Sequence, residues 1–291
     1  MNFSEKLKEI RKKEGISQEQ LAERIGVTRQ AITKWETGKG LPDVENMVII
    51  AEIFKTTIDE LLMDSVTKKP SEAFAYTSET IYDIDCEKHF DVNIGSAATI
   101  MLSSGDDEKL HVKLSSETLE NIDTMYKIKL DDRKNKLDVV CLNKNKLSRY
   151  EAEESLTVEI ILPNKYSDVC EIAASVKFLE INNLHLNRLE YDGAAEQVLI
   201  SDSSGSLEFT AKTDYEITVD KITGRLDINQ WKAKAIIHIP GKNIVNVINK
   251  GRKCNVYYVK EGKAAECENV ADSENEISIS GVFSELVVDL V

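Results

Sequence analysis

The sequence predicts a multidomain chain: an all-α domain of five helices, then an all-β domain with right-handed β-solenoid-like repeats of about nineteen residues. Three observations carry this. Residues 4–62 show helix start and stop signals one after another, residues 65–72 are polar and aperiodic with Pro70 among them, and from Thr157 onward pairs of apolar residues recur at a near-fixed interval. A length of 291 residues suits about two domains. The boundaries are drawn at 1–64, a linker over 65–72, and 73–291.

In the helical part, Ser4 is expected to cap a helix carrying Leu7 and Ile10 and ending near Gly15. Ser17 with Gln20 three residues on forms a capping box for a second helix, whose apolar face holds Leu21, Ala22 and Ile25 and which stops at Gly26, where a missing Cβ permits the left-handed conformation. Thr28 caps a third helix. Its inward residues are Ala31, Ile32 and Trp35, its other faces hold Arg29, Gln30, Thr33 and Lys34, and Gly38 and Gly40 close it. A fourth helix starts from Asp43, and Thr57 with Glu60 caps a short fifth ending at Leu61-Leu62.

Beyond the linker the periodicity changes from helical to alternating. TIYDI, LHVKL, YKIKL and LDVVCL, between Ala73 and about Leu147, read as strands separated by polar turns. One register of inward pairs then runs Ile160/Leu162, Leu179/Ile181, Val198/Ile200, Ile217/Val219, Ala235/Ile237 and Cys254/Val256. A second runs Cys170/Ile172, Leu189/Tyr191, Leu207/Phe209, Leu226/Ile228 and Val245/Val247. Residues two apart face one side of a strand, and a fixed period stacks like residues in register, so two strands per repeat describe one coil of a solenoid. Gly193, Gly205, Gly224 and Gly241 are placed in the turns between these strands. A sandwich of hairpins with strands about nine residues apart is the competing architecture.

The net charge of −14 is unevenly spread: residues 1–40 hold nine Lys and Arg against six acids, whereas residues 65–291 hold 27 against 39. A basic head on an acidic body suits a protein that lays only its head on a polyanion, although an acidic protein with an uneven surface would show the same split. The five cysteines are widely spread without a CxxC pair, as expected of reduced thiols. The amino terminus MNFSEKLKEIRKKEG lacks the apolar core of a secretion signal and no run of about eighteen apolar residues occurs, so a soluble cytoplasmic protein without membrane contact is expected.

The segment ISQEQLAERIGVTRQAITKWETGKGLPDVENMVIIAEIFKTTIDELL has a glutamine near the start of the second helix, Leu-Ala in its middle and Gly-Val-Thr in the turn. Ile32, Trp35-Glu36, Gly38, Pro42 and a terminal IDELL follow. It resembles the lambda-repressor-like, Xre-type helix-turn-helix family over nearly all of residues 4–62. The resemblance implies that the third helix enters the major groove, with Arg29, Gln30 and Lys34 at base edges and Gln18, Thr28, Thr33 and Lys39 on phosphates. The chemistry agrees: Arg can pair with guanine O6 and N7, Gln with adenine N6 and N7, and Lys can reach guanine acceptors. The run Arg11-Lys12-Lys13 is read as a solvated helix end complementing the dipole.

The stretch ESLTVEIILPNKYSDV, the repeated strands and KAKAIIHIP resemble an adhesin-type β-strand repeat family over about residues 150–245. The absence of an export signal sets the adhesin role aside and leaves the fold. No GxSxG, HExxH, GxGxxG or phosphate-binding loop occurs. The four histidines are scattered, Cys86 with His89 is a lone CxxH, Asp106-Asp107-Glu108 reads as a solvated turn and Ser201–Gly205 as a repeat corner. No cofactor, metal or catalytic residue is therefore expected. The expected function is sequence-specific regulation of transcription by a homodimer on a double-stranded operator, the β domain serving sensing or assembly through an unknown protein or ligand. The alternatives are an interaction scaffold whose helical head is an adaptor, and an enzyme with its site in residues 73–150.

Overall fold

The computed structural model describes residues 3–13, 15–40, 42–54, 74–240, 246–260, 263–265 and 275–290. The chain divides into two compact units, Met1–Ala73 and Phe74–Val291. The first is helical and the second almost entirely β.

Four helices of the first unit are described: α1 (Phe3–Lys13), α2 (Gln18–Ile25), α3 (Arg29–Glu36) and α4 (Val44–Phe54). The fifth, expected over Thr57–Leu62, and the linker over 65–72 lie outside the described residues. Ser4 is not a cap: it is buried within α1, which already includes Phe3. The other signals act locally as their chemistry requires. Asp43 Oδ1 accepts the Asn46 N–H at 2.9 Å at the head of α4. Phe3, Leu7, Leu21, Ala22, Ile25, Ile32, Trp35, Ile50 and Ala51 form one buried cluster.

The second unit holds seventeen described strands and two short helices, α5 (Ile122–Met125) and α6 (Arg149–Ser155). The segments read as strands before residue 147 are β1 (Tyr76–Asp83), β3 (Lys109–Ser116), β4 (Tyr126–Arg133) and β5 (Lys136–Asn143). β2 (Lys88–Gly105), which the alternation did not reveal, is eighteen residues long. Then come β6 (Thr157–Pro163), β7 (Ser167–Asn182), β8 (His185–Ser201), β9 (Ser203–Ala211), β10 (Tyr215–Val219), β11 (Ile222–Trp231) and β12 (Lys234–Ile239). The last are β13 (Asn246–Asn249), β14 (Asn255–Lys260), β15 (Lys263–Ala265), β16 (Glu276–Val282) and β17 (Glu285–Leu290).

Through the middle of this unit the apolar repeat is a hydrogen-bonded register. Cys170 and Ile172 of β7 pair with Leu189 and Tyr191 of β8, which pair with Leu207 and Phe209 of β9, which pair with Leu226 and Ile228 of β11, all parallel. In a second ladder Leu179 and Ile181 pair with Val198 and Ile200, and these with Ile217 and Val219 of β10. All fourteen side chains just named join one continuous buried core.

Three placements differ from the sequence reading. Ile160/Leu162 does not neighbour Leu179/Ile181, because β2 lies between: Leu102 pairs with Ile160 on one side and Ile181 on the other. Ile217 faces Ile237, so Ala235 sits opposite Tyr215 and not in line with Ile217. At the far end β16 lies between β11 and β13, and β17 between β12 and β14, so Leu226 meets Ile277 and Ile237 meets Val288. Strands remote in sequence fill both ends of the ladders, which a period read along the chain cannot reveal.

The glycines also differ. Gly193, Gly205 and Gly224 lie inside β8, β9 and β11 with φ of 150°, 125° and 125°, not in turns between strands, while Gly241 lies outside the described residues. A Cβ at Gly193 would come within 1.7 Å of the Ala174 carbonyl oxygen on the preceding strand, and one at Gly205 within 1.8 Å of Leu186 O. These are points of close backbone approach between stacked strands. Gly193→Ala is expected to cost about 3 kcal/mol, measured as a fall in the denaturant midpoint of the β unit; an unchanged midpoint would show that the strands separate freely at this position.

Candidate nucleic-acid interface

The helical unit builds its outward surface from two short helices and the turn between them. α2 opens with a complete capping box: Gln20 N–H donates to Ser17 Oγ at 3.2 Å and Ser17 N–H donates to Gln20 Oε1 at 2.7 Å. It ends at Gly26, φ 84°, whose N–H donates to Ala22 O at 2.9 Å. Thr28 starts α3 by accepting the Ala31 N–H on Oγ1 at 3.3 Å. Each end of the turn is thus held by backbone groups that would otherwise be unsatisfied.

α3 turns Ile32, Trp35 and Glu36 inward and leaves Arg29, Gln30, Thr33 and Lys34 exposed. Thr28 and Lys39, at its two ends, are exposed as well, and Lys39 N–H donates to Lys34 O at 2.9 Å. Six of the seven residues expected at nucleic acid therefore lie on or at the ends of one helix. The seventh, Gln18, is half-buried at the start of α2, and its amide is already engaged: Nε2 donates to Glu36 Oε2 at 2.8 Å and Oε1 lies 3.3 Å from Thr33 Oγ1. Gln18 is held in one orientation beside α3.

Behind this surface lies an ion pair that the sequence reading missed. Arg11 is buried, not part of a solvated run, and its guanidinium meets Glu36 twice, Nε to Oε1 at 2.5 Å and Nη2 to Oε2 at 3.0 Å. A third bond, Nη1 to Ile16 O at 2.8 Å, ties α1 to the segment before α2. The signal was in the spacing, since Arg11 falls on the same helical stripe as the buried Phe3 and Leu7, eight and four residues before it. Burial works against the Glu36 charge, yet hydrogen bonds from Arg11 and Gln18 outweigh it and hold the carboxyl below its ordinary value of 4.5. The Glu36 bond raises the Arg11 guanidinium in turn.

Electrostatically the exposed face is mixed. Arg29 Nε stands 3.9 Å from Glu19 Oε2, with both side chains largely in solvent, where such a pair is worth little. In the β unit the acidic turn is engaged, not merely solvated: Asp107 Oδ2 lies 2.7 Å from His111 Nε2, and Glu108 pairs with Lys165. Among the described residues no group of three His, Cys, Asp or Glu is arranged to hold a metal, and no helix is long and apolar enough to cross a membrane.

Residues 7–61 match the helix-turn-helix family model HTH_3. The HTH-type transcriptional activator BcrR of Enterococcus faecalis is 52% identical over 62 residues, covering 21% of this chain and 30% of that protein. An HTH-type transcriptional regulator of Archaeoglobus fulgidus is 36% identical over 58 residues, covering 20% of this chain and 83% of that protein. The chain spans between 30% and 58% of the length of the first curated relatives it matches. Among solved structures, a candidate cell adhesion protein of Clostridium sporogenes is similar with a TM-score of 0.37 and 13% identity, covering 74% of this chain and 99% of that one.

Glu36→Gln leaves Arg11 buried without its counter-charge and is expected to cost the helical unit about 3 kcal/mol, measured by the far-ultraviolet helical signal against denaturant. Because the folded pKa of Glu36 lies below 4.5, its contribution is complete above that pH and is lost as pH falls through the folded value. The stability gap between native protein and variant should therefore close in acid; a gap constant from neutral to strongly acidic pH would show that the charge does not matter.

Proposed function

We propose, from the premise that this chain belongs to the helix-turn-helix family through its residues 7–61, that it is a sequence-specific DNA-binding transcriptional regulator. In this reading α3 enters the major groove of an operator. Arg29, Gln30 and Lys34 meet base edges, while Gln18, Thr28, Thr33 and Lys39 take phosphates. The observation that supports it most is the single exposed row on α3, backed by a bracket in which Arg11, Glu36, Gln18 and Thr33 are joined by hydrogen bonds. A reading helix must present its side chains in a fixed frame, and that bracket supplies one.

The same reading places the DNA-binding domain at 1–64, a linker at 65–72 and the β domain at 73–291, the last as a right-handed β-solenoid for sensing or assembly. The nineteen-residue offsets between β7, β8 and β10 and between β9 and β11 support the solenoid. One head makes few phosphate contacts, so two chains would pair to set two heads on half-sites about one helical turn apart. Work on DNA assigns the protein to the cytoplasm. The adaptor reading draws on one observation, the Glu19 carboxylate beside Arg29, which adds negative charge to the reading face.

Selection from a random duplex pool with the full-length protein, followed by the salt dependence of binding to the winner, tests this reading. A pseudo-palindrome bound with a steep salt slope is expected. Arg29→Ala with Gln30→Ala should weaken binding by about 2–6 kcal/mol, at roughly 1–3 kcal/mol per lost base pairing, without loss of helical signal. No enrichment, or full affinity in the double variant, would sink it in favour of the adaptor.

A further inference from the structure

One corner of the β unit sets exposed aromatic rings beside exposed cations. Where the first ladder turns into the second, the chain passes through Trp231-Lys232, Val282-Phe283 and Arg252-Lys253 on neighbouring strands. Trp231 and Val282 are register partners, Arg252 bridges to Val282, Lys232 N–H donates to Val282 O at 3.0 Å and Phe283 N–H donates to Arg252 O at 3.1 Å. Ala211 pairs with Gln230, so Lys212 follows on the strand before. Successive strands lie about 4.8 Å apart, so the row from Lys212 to Arg252 spans roughly 14 Å.

Two large rings stand in solvent on this row: Trp231 is 59% and Phe283 52% exposed. Lys253 Nζ rests 4.7 Å from the centre of the Phe283 ring. Lys212, Lys232 and Arg252 are exposed and none makes an ion pair among the described residues; unpaired exposed lysines also occur elsewhere in the unit, as at Lys127, Lys129 and Lys144, and what distinguishes this row is that its cations stand beside two exposed rings. The nearby carboxylates are Asp214, which accepts the Lys234 N–H at 2.8 Å, and Glu285. A basic, aromatic row thus interrupts a domain in which acids outnumber bases 39 to 27 over residues 65–291.

Backbone conformation points the same way. Lys232, Lys253 and Phe283 have φ of 54°, 54° and 55°, the left-handed region that costs a residue with a Cβ free energy. At the opposite corner the same region is occupied by Asn183 and Asp202, which adopt it most readily, and outside the two corners by Lys146 in the turn after β5. Local conformation alone would favour Gly or Asn at positions 232, 253 and 283. Two lysines and a phenylalanine there indicate that the side chains serve something outside the fold.

We propose that this corner, Lys212, Trp231, Lys232, Arg252, Lys253 and Phe283, is a docking site for a short acidic peptide segment of a partner protein that carries apolar residues among its carboxylates. A 14 Å row fits about four or five extended residues. Trp and Arg are the side chains that carry most energy at protein interfaces, and each ring can bury more than about 100 Å² only against apolar surface, which a duplex backbone lacks. A longer polyanion would run onto the acidic flanks, and a second copy of the corner would bring cation against cation. The inference rests on the reading of the β domain as an interaction module and is independent of what α3 recognises.

The test uses full-length protein and a fluorescein-labelled sixteen-residue peptide alternating Glu or Asp with Leu, with poly-Glu and a single-stranded oligonucleotide of equal length as competitors. Peptide anisotropy should rise on titration with protein, Trp231 emission should shift to the blue, and both competitors should bind more weakly. Trp231→Ala with Phe283→Ala, and separately Lys232→Glu with Arg252→Glu, should each weaken binding at least tenfold with unchanged circular dichroism. Arg29→Ala with Gln30→Ala should leave it intact, which separates this result from operator binding. No binding of the peptide by the native protein, equal binding by the corner variants, or tighter binding of the oligonucleotide would each overturn the proposal, the last by making the corner a nucleic-acid surface.

Discussion

Parallel strands that pair over their whole length must set residue upon residue at a spacing of about 4.8 Å, and most of this molecule follows from that constraint. A side chain that points inward on one strand has an inward neighbour above and below, which is why Cys170, Leu189, Leu207 and Leu226 form one column and Leu179, Val198 and Ile217 another. The same closeness leaves no room for a Cβ at Gly193 or Gly205, where the backbone of one strand comes nearly onto the carbonyl of the next. Burial of the columns stabilises the stack at about 25 cal/mol per Å² of apolar surface, and loss of register would expose a whole column at once.

The helical unit solves a different problem. Four described helices of eight to eleven residues are too short to be stable alone, so their order comes from packing and from the groups that join them. Arg11 and Glu36 put a bidentate ion pair into that core and carry a third bond to the Ile16 carbonyl. A buried pair of this kind adds little net stability over an apolar one, because desolvation offsets the attraction; what it adds is geometry. Glu36 is one residue past Trp35 on α3, and through Gln18 it fixes the start of α2 against Thr33, so the exposed row of α3 inherits its orientation from a charge on the far side of the helix.

The two units also divide the charge. Exposed cations of the head stand on α1 and α2 as well as on α3 and the turn after it, whereas the β unit is acidic and neutralises many of its cations in local pairs such as Lys136 with Asp91 and Arg188 with Glu190. The row around Trp231 sets exposed rings beside exposed cations, with three of its residues in a conformation that favours other residue types. Surfaces that depart from both the charge and the conformational preference of their surroundings are where recognition is to be sought.

Local signals were legible in the residues themselves: the capping box at Ser17 and Gln20, the stop at Gly26, the inward Ile32 and Trp35, and the apolar columns between residues 167 and 231, because each depends on neighbours a few residues away or on one repeating interval. Tertiary structure alone decided the rest. Arg11 lies in a run of three cations and its partner is twenty-five residues away, so only packing could bury it. β2, β16 and β17 enter the ladders from distant parts of the chain, and a strand's own alternation says which face is apolar but not which strand will cover its edge. Side-chain periodicity is local chemistry, while the choice of neighbour is made by whichever remote strand can fill the same column at the same spacing.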